Sequence, residues 1–161
     1  RPEEHVPETE EYGIRSFTYR SRRPFDPQRF MGFLQREWPG VIRAKGLFWL
    51  ATRPEWVGQL SQAGSALQHQ AIGLWWAGVD RDQWPDDDAW RHHLGKLWDP
   101  EFGDRRQEIV FIGTDMDADA IRAELDAALV ADTAFRPGDW AGLADPFPAW
   151  RMEQPVEAET A

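Results

Sequence analysis

An α+β domain, with a mainly antiparallel sheet and helices packed on one face, is what this sequence predicts. Three observations carry that expectation. Several segments alternate apolar and polar residues with the period of two that a half-buried strand requires. Three others repeat apolar residues at helical spacing, each behind one or more aspartates. Two strand segments also meet near Ala63-Gly64-Ser65, a hairpin signal. The order is then β-α-β-β-β-α-β-α, and hairpins mixed with helical crossovers suit a helix layer on one side of an antiparallel sheet.

Residues 1–12 are acidic, contain prolines and show no periodicity, so they read as a linker. From Gly13 to Arg20, Phe17 and Tyr19 share one face while Ser16, Thr18 and Arg20 share the other, which predicts the first strand. Asp26 is placed to cap a helix that opens with Pro27, where the missing N–H costs nothing. Phe30, Phe33, Leu34 and Trp38 form its stripe, and Pro39-Gly40 stops it. Val41 to Thr52 predicts a strand with Ile42, Ala44, Gly46, Phe48 and Leu50 under a helix. Arg43, Lys45, Leu47 and Trp49 face the other way.

Pro54 breaks that strand, residues 56–62 and 66–79 predict two more, and Gly73 is placed to mark a bulge. The carboxylates of Asp86, Asp87 and Asp88 suit the positive end of a second helix, with Trp90, Leu94, Leu97 and Trp98 as its stripe. Gln107 to Ile112 is a short buried strand, and Asp117 caps a third helix carrying Ile121, Leu125 and Leu129. Residues 13–150 thus make one domain, with 151–161 as a flexible acidic tail.

Composition narrows the function. Hydrophobic residues are 42% of the 161, with ten tryptophans and nine phenylalanines, enough to bury a core. Cysteine is absent, which excludes disulfides and thiolate metal sites within this chain and permits a reducing compartment. No apolar run reaches the roughly 18 residues that span a bilayer. The chain starts without Met or a signal peptide, which points to a piece of something longer with a cytoplasmic location. The net charge of −10 conceals a division: residues 15–53 hold nine basic side chains against two acids. A local basic face inside an acidic chain suits an acidic partner, or it is simply a solvated surface.

The sequence has no GxxxxGK[ST], so no loop cradles phosphates; Lys45-Gly46 lacks the upstream glycines and sits in a strand. The metal candidates are His5, His69, His92 and His93. Adjacent His92 and His93 point about 100° apart on a helix and do not share an ion naturally. His93 falls on the apolar face, where a half-buried, hydrogen-bonded histidine is expected, and His5 among Glu3, Glu4 and Glu8 solvates the chain or holds a divalent ion loosely. No GxSxG motif is present, and the acidic clusters sit where helix starts want acids, so no catalytic residue and no cofactor-binding residue is assigned. Arg43, Lys45 and Trp49, with Trp76 nearby, have three readings: buried packing, protein docking, or a stacking surface for single-stranded nucleic acid that the net charge opposes. Arg105 and Arg106 are further docking candidates; the alternative is an ion pair with Asp104 or Glu108.

Four blocks carry a family resemblance: residues 11–30 (EYGIRSFTYRSRRPFDPQRF), 43–54 (RAKGLFWLATRP), 61–64 (SQAG) and 103–113 (GDRRQEIVFIG), followed by LADPFP. In this order and spacing they resemble the C-terminal domain of CobW-type metallochaperone GTPases, over about residues 10 to 148. The resemblance implies an α+β accessory domain behind an N-terminal P-loop domain that would hold the GTP, the Mg and a CxCC motif for zinc or cobalt. None of those motifs is here, so the expectation is a non-enzymatic regulatory or partner-docking module. Its implied partners are the GTPase domain and a metal-receiving client. The alternatives are a direct metal binder and, less favoured, a nucleic-acid-binding sheet.

Overall fold

The computed structural model describes residues 13–131 and 140–151. The element order is the expected one: β1 (Ile14–Ser21), α1 (Pro27–Gln35), β2 (Val41–Phe48), β3 (Trp56–Ala63), β4 (Ala66–Leu74), α2 (Asp88–Leu97), β5 (Gln107–Thr114) and α3 (Ala118–Ala128). Two short 3-10 turns, Trp76–Gly78 and Arg81–Gln83, lie between β4 and α2. The linker expected at 1–12 and nearly all of the tail expected at 151–161 fall outside the described residues.

The strands form one antiparallel sheet in the order β1-β5-β2-β3-β4, so the last strand in sequence sits between the first two. That insertion ties chain ends to chain middle. Gly46 of β2 runs so close to β5 that a Cβ there would collide with the Glu108 carbonyl, which leaves no room for any other residue. β1 and β4 are the sheet's two edges.

Each helix starts where an aspartate satisfies free backbone N–H groups. Asp26 accepts from Gln28 and Arg29 with Pro27 in the first turn, Asp87 accepts from Trp90, and Asp117 accepts from Ala120. The main core lies between the helix layer and the sheet. Phe30 and Phe33 of α1 and Ile121 and Leu125 of α3 meet Tyr19, Phe48, Leu60, Ile109 and Phe111 from four strands. Phe25, Phe30 and Phe48 are fully buried, and Phe25 stacks on Phe30 with ring centres 4.1 Å apart. Each such ring contributes about 2 kcal/mol through its burial. α2 adds one buried residue, Leu94, outside that core.

The segment 140–151 returns to this core. Phe147 is buried in it and Trp150 packs against it. A clamp holds the segment down: the Arg53 guanidinium donates to both oxygens of Asp145, at 2.9 and 3.0 Å, and to the carbonyls of Phe147 and Pro148. Burial alone would raise the Asp145 carboxyl, but hydrogen bonds from Arg53, Thr52 and the Phe147 N–H outweigh it and hold the group below its ordinary range.

Three local expectations are corrected. Ile42 is 49% exposed rather than under a helix, because a bulge between Val41 and Arg43 rotates it outward and lets Val41 face the core instead. β2 ends at Phe48, not Thr52, because beyond it the Gln107 side chain replaces the strand ladder. Its amide accepts from the Trp49 N–H and donates to the carbonyls of Arg23 and Trp49. β4 ends at Leu74, not 79, and the chain turns into the Trp76–Gly78 3-10 turn. The irregularity expected at Gly73 is present one residue earlier: Val57 pairs with Gly73 and Gly58 with Ala71, leaving Ile72 as the extra residue.

Candidate functional site

The face of the sheet opposite the main core bears the docking candidates, and strand register places them. Lys45 stands between Val110 of β5 and Ser61 of β3; Arg43 stands between Ile112 and Ala63. Both cations are exposed, and neither pairs with an acid among the described residues. Val110, 38% exposed, gives the face an apolar patch beside them. The strand carboxylate on this face is Glu108, already engaged: Arg106 donates to it at 2.7 Å and Arg20 lies 3.7 Å away. The hydrogen bond from Arg106 is the main cause holding its carboxyl below the usual value. Arg43 and Lys45 therefore stand in an open, mixed cationic and apolar surface.

The other candidates separate from that pair. Trp49 was expected on this face and lies on it, but it is fully buried, so it offers no contact or stacking surface. Where β2 ends, Val57, Trp75 and Phe102 close over it as a second, smaller core. Its indole N–H donates to the Arg22 carbonyl, and the Arg105 guanidinium covers its ring at 5.6 Å. Arg105 is likewise corrected: only 9% exposed, it donates to the carbonyls of Pro54 and Phe102, and its burial lowers its affinity for the proton. It is part of the architecture. Arg106 takes the alternative reading, an ion pair with Glu108, while its guanidinium lies over Trp75 at 5.9 Å.

The histidines do not converge. His69 of β4 is half-buried edge-on to Phe147, with a buried Nδ1 that meets no hydrogen-bond partner among the described residues, and burial depresses its pKa. His92 and His93 are both exposed on α2, so His93 is not the half-buried residue expected from the apolar stripe. His5 lies outside the described residues. Among the described residues no three His, Asp or Glu side chains gather closely enough to hold a metal ion. No helix among them is long and apolar enough to cross a membrane.

Sequence reasoning missed a second aromatic assembly beyond the end of the sheet. Trp76, Trp84, Trp90 and Trp98 are all partly buried and meet edge to face: Trp76 on Trp90 at 4.8 Å, Trp84 on Trp90 at 5.7 Å and Trp84 on Trp98 at 5.6 Å. The Arg81 guanidinium lies 4.6 Å over Trp84 and 5.6 Å from Trp98. Two polar anchors hold this region to the body. Asp104, 4% exposed, accepts from the N–H groups of Trp76 and Ala77, and Arg22 donates to the carbonyls of Leu97 and Gly103. Trp90 and Trp98 are visible in the helical stripe of α2, but Arg81 and Trp84 stand in an irregular stretch where no period points to them.

Comparison with known proteins agrees with this architecture. The family model for the cobalamin synthesis protein cobW C-terminal domain matches residues 14–129. The chain is 38% identical over 149 residues to zinc-regulated GTPase metalloprotein activator 1 of Dictyostelium discoideum, covering 89% of this chain and 31% of that protein. It is 34% identical over 134 residues to zinc chaperone Rv0106 of Mycobacterium tuberculosis, covering 82% of this chain and 34% of the relative. It thus spans about a third of these relatives. Among solved structures, the zinc-bound YjiA GTPase from E. coli superposes with a TM-score of 0.51 at 16% identity, over 80% of this chain and 33% of that one, a likeness of fold.

Proposed function

Because the chain belongs to the CobW C-terminal domain family, we propose that it is the accessory, partner-docking domain of a GTP-dependent zinc- or cobalt-handling chaperone. In this reading GTP, Mg and the cargo metal are held by a P-loop domain that this chain does not contain. The relatives named for zinc and for GTPase activity are about three times the length of this chain, which supports a division of labour between domains. The observation that carries the docking role is the open sheet face. Arg43 and Lys45 are exposed there beside Val110, and no described acid neutralises them. A partner with carboxylates opposite would gain steering at long range and specificity at contact. The partner in this reading is the GTPase domain, with a metal-receiving client as the other user of the same face.

The test is charge reversal. Arg43→Glu with Lys45→Glu changes two exposed side chains, so folding stability stays within about 0.5 kcal/mol of the parent. Binding to the separately produced GTPase domain, followed by calorimetry at low salt, weakens at least about tenfold, and raising salt narrows the difference. Equal affinity of parent and double variant would remove the basic face from the reading. An affinity of the chain for single-stranded nucleic acid that falls steeply with salt would favour the rival reading.

A further inference from the structure

Where β1 finishes and β5 begins, the chain holds a cavity of about 420 Å³ that the docking reading does not use. Its charged lining is Arg20 and Arg22 from one segment, Arg106 from another, and a single carboxylate, Glu108. Leu97, the last residue of α2, supplies an apolar wall. One guanidinium is enough to pair one carboxylate, and Arg106 does so through its Nε at 2.7 Å. The other two are a surplus, gathered against the mutual repulsion of like charges.

What each cation still offers decides the ligand. Arg22 donates to the carbonyls of Leu97, Gly103 and Arg105, which carry no formal charge, so its own charge is not cancelled. Arg106 donates through Nε to Glu108 and through Nη1 to the Asp104 carbonyl, leaving its Nη2 without an acceptor among the described residues. The Arg20 side chain is 68% exposed and stands 3.7 Å from Glu108, too far for a hydrogen bond, so its fork of donors is available. All three act on one point. Arg106 through its hydrogen bond, then Arg20 and Arg22 through charge alone, keep the Glu108 carboxyl ionised. One anion is already held there, and two positive charges remain over.

That surplus repels a metal ion and is only half neutralised by a carboxylate. A phosphomonoester carries about −1.5 to −2 charges at neutral pH, and guanidinium forks grip its oxygens two at a time. The volume of 420 Å³ corresponds to roughly fourteen waters at about 30 Å³ each, so an ester group fits beside the phosphoryl oxygens, against Leu97. We propose that the cavity bounded by Arg20, Arg22 and Arg106 binds a phosphomonoester dianion. Free phosphate and a phosphorylated side chain of a partner share that chemistry.

This site uses neither Arg43 nor Lys45, so it stands or fails apart from the docking face. The 161-residue chain is titrated with sodium phosphate at constant ionic strength while the amide NMR signals of residues 20–22 and 106–108 are followed. Saturable shifts are expected there, with a Kd on the order of 1 mM. Dimethyl phosphate, which keeps the tetrahedral shape with a single charge, binds about tenfold more weakly. Arg20→Gln changes an exposed side chain, so the melting temperature stays level while phosphate affinity falls about tenfold. Glu108→Gln takes away the resident anion and raises that affinity about tenfold. Asp119→Asn, an equal change of charge on α3, leaves it as in the parent. A phosphoserine peptide that binds more tightly than free phosphate, with its unphosphorylated form silent, identifies the source as a modified partner; equal affinities identify the free ion. The proposal is overturned if the parent shows no saturation, if dimethyl phosphate binds as well as phosphate, if Arg20→Gln binds like the parent, or if Glu108→Gln binds no more tightly.

Discussion

Two aromatic assemblies sit in one small chain and behave differently. Under the helices, Phe25, Phe30, Phe33, Phe48 and Phe111 are at most 1% exposed, and their rings touch sheet, helix and the returning 140–151 segment at once. Beyond the sheet, four tryptophans touch chiefly one another and Arg81, and none is fully buried. Phenylalanine has no polar atom to satisfy, so it can be enclosed completely; tryptophan carries an N–H that wants an acceptor. The first assembly serves folding. The second leaves part of each ring in reach of solvent.

Substitutions test that contrast. The largest effect belongs to the first assembly: Phe30→Ala leaves a cavity among rings that cannot collapse into it and costs about 4 kcal/mol, read as a fall in thermal midpoint and denaturant midpoint. If Phe30→Ala cost no more than a tryptophan truncation outside the core, the contrast between the assemblies would vanish.

An intermediate effect belongs to the clamp that ties the 140–151 segment onto the phenylalanines. Asp145→Asn weakens the pair with Arg53 and costs about 2 kcal/mol near neutral pH. The Asp145 pKa is lower in the folded chain, so its contribution is complete above the ordinary carboxylate range and is lost as pH falls through the depressed folded value. Parent and variant therefore converge in acid, and stability curves that stay parallel down to low pH would show that the carboxylate's charge is not what the clamp uses.

The smallest effect is expected at the second assembly. Trp84→Ala removes more atoms than Phe30→Ala yet costs only about 1 kcal/mol, since the ring is only partly buried and lies outside both cores. A loss as large as that of Phe30→Ala would make the cluster a third core and sharpen the question of what its exposure is for.

Most of the fold was legible because its signals are local. The aspartate caps, the alternation in β1 and β2, and the Gly64 hairpin each name an element from a few neighbouring residues, and the family blocks lie in the order the sheet needs. What was not legible depends on distant partners. Period two places Trp49 on the open face correctly, but its burial is decided by Val57, Trp75 and Phe102 closing over it. Arg105 looked like a contact residue because its acceptors, the carbonyls of Pro54 and Phe102, are backbone atoms that composition does not reveal. Ile42 was misplaced for a smaller reason: one extra residue in a ladder inverts a face, and Gly40 just before it reads in the sequence as a helix stop rather than as the mark of a bulge.

The bulge at Ile72 has a consequence for how copies of this chain meet. β4 closes the sheet with an outer rim of backbone donors and acceptors, and exposed Ile72 and Leu74 near its end make that rim adhesive. An uninterrupted rim would let two molecules zip together along nine residues, but the extra residue puts the stretch on either side out of phase. Together with the mutual repulsion of molecules carrying ten surplus negative charges, that misfit guards the chain against polymerising through its own edge.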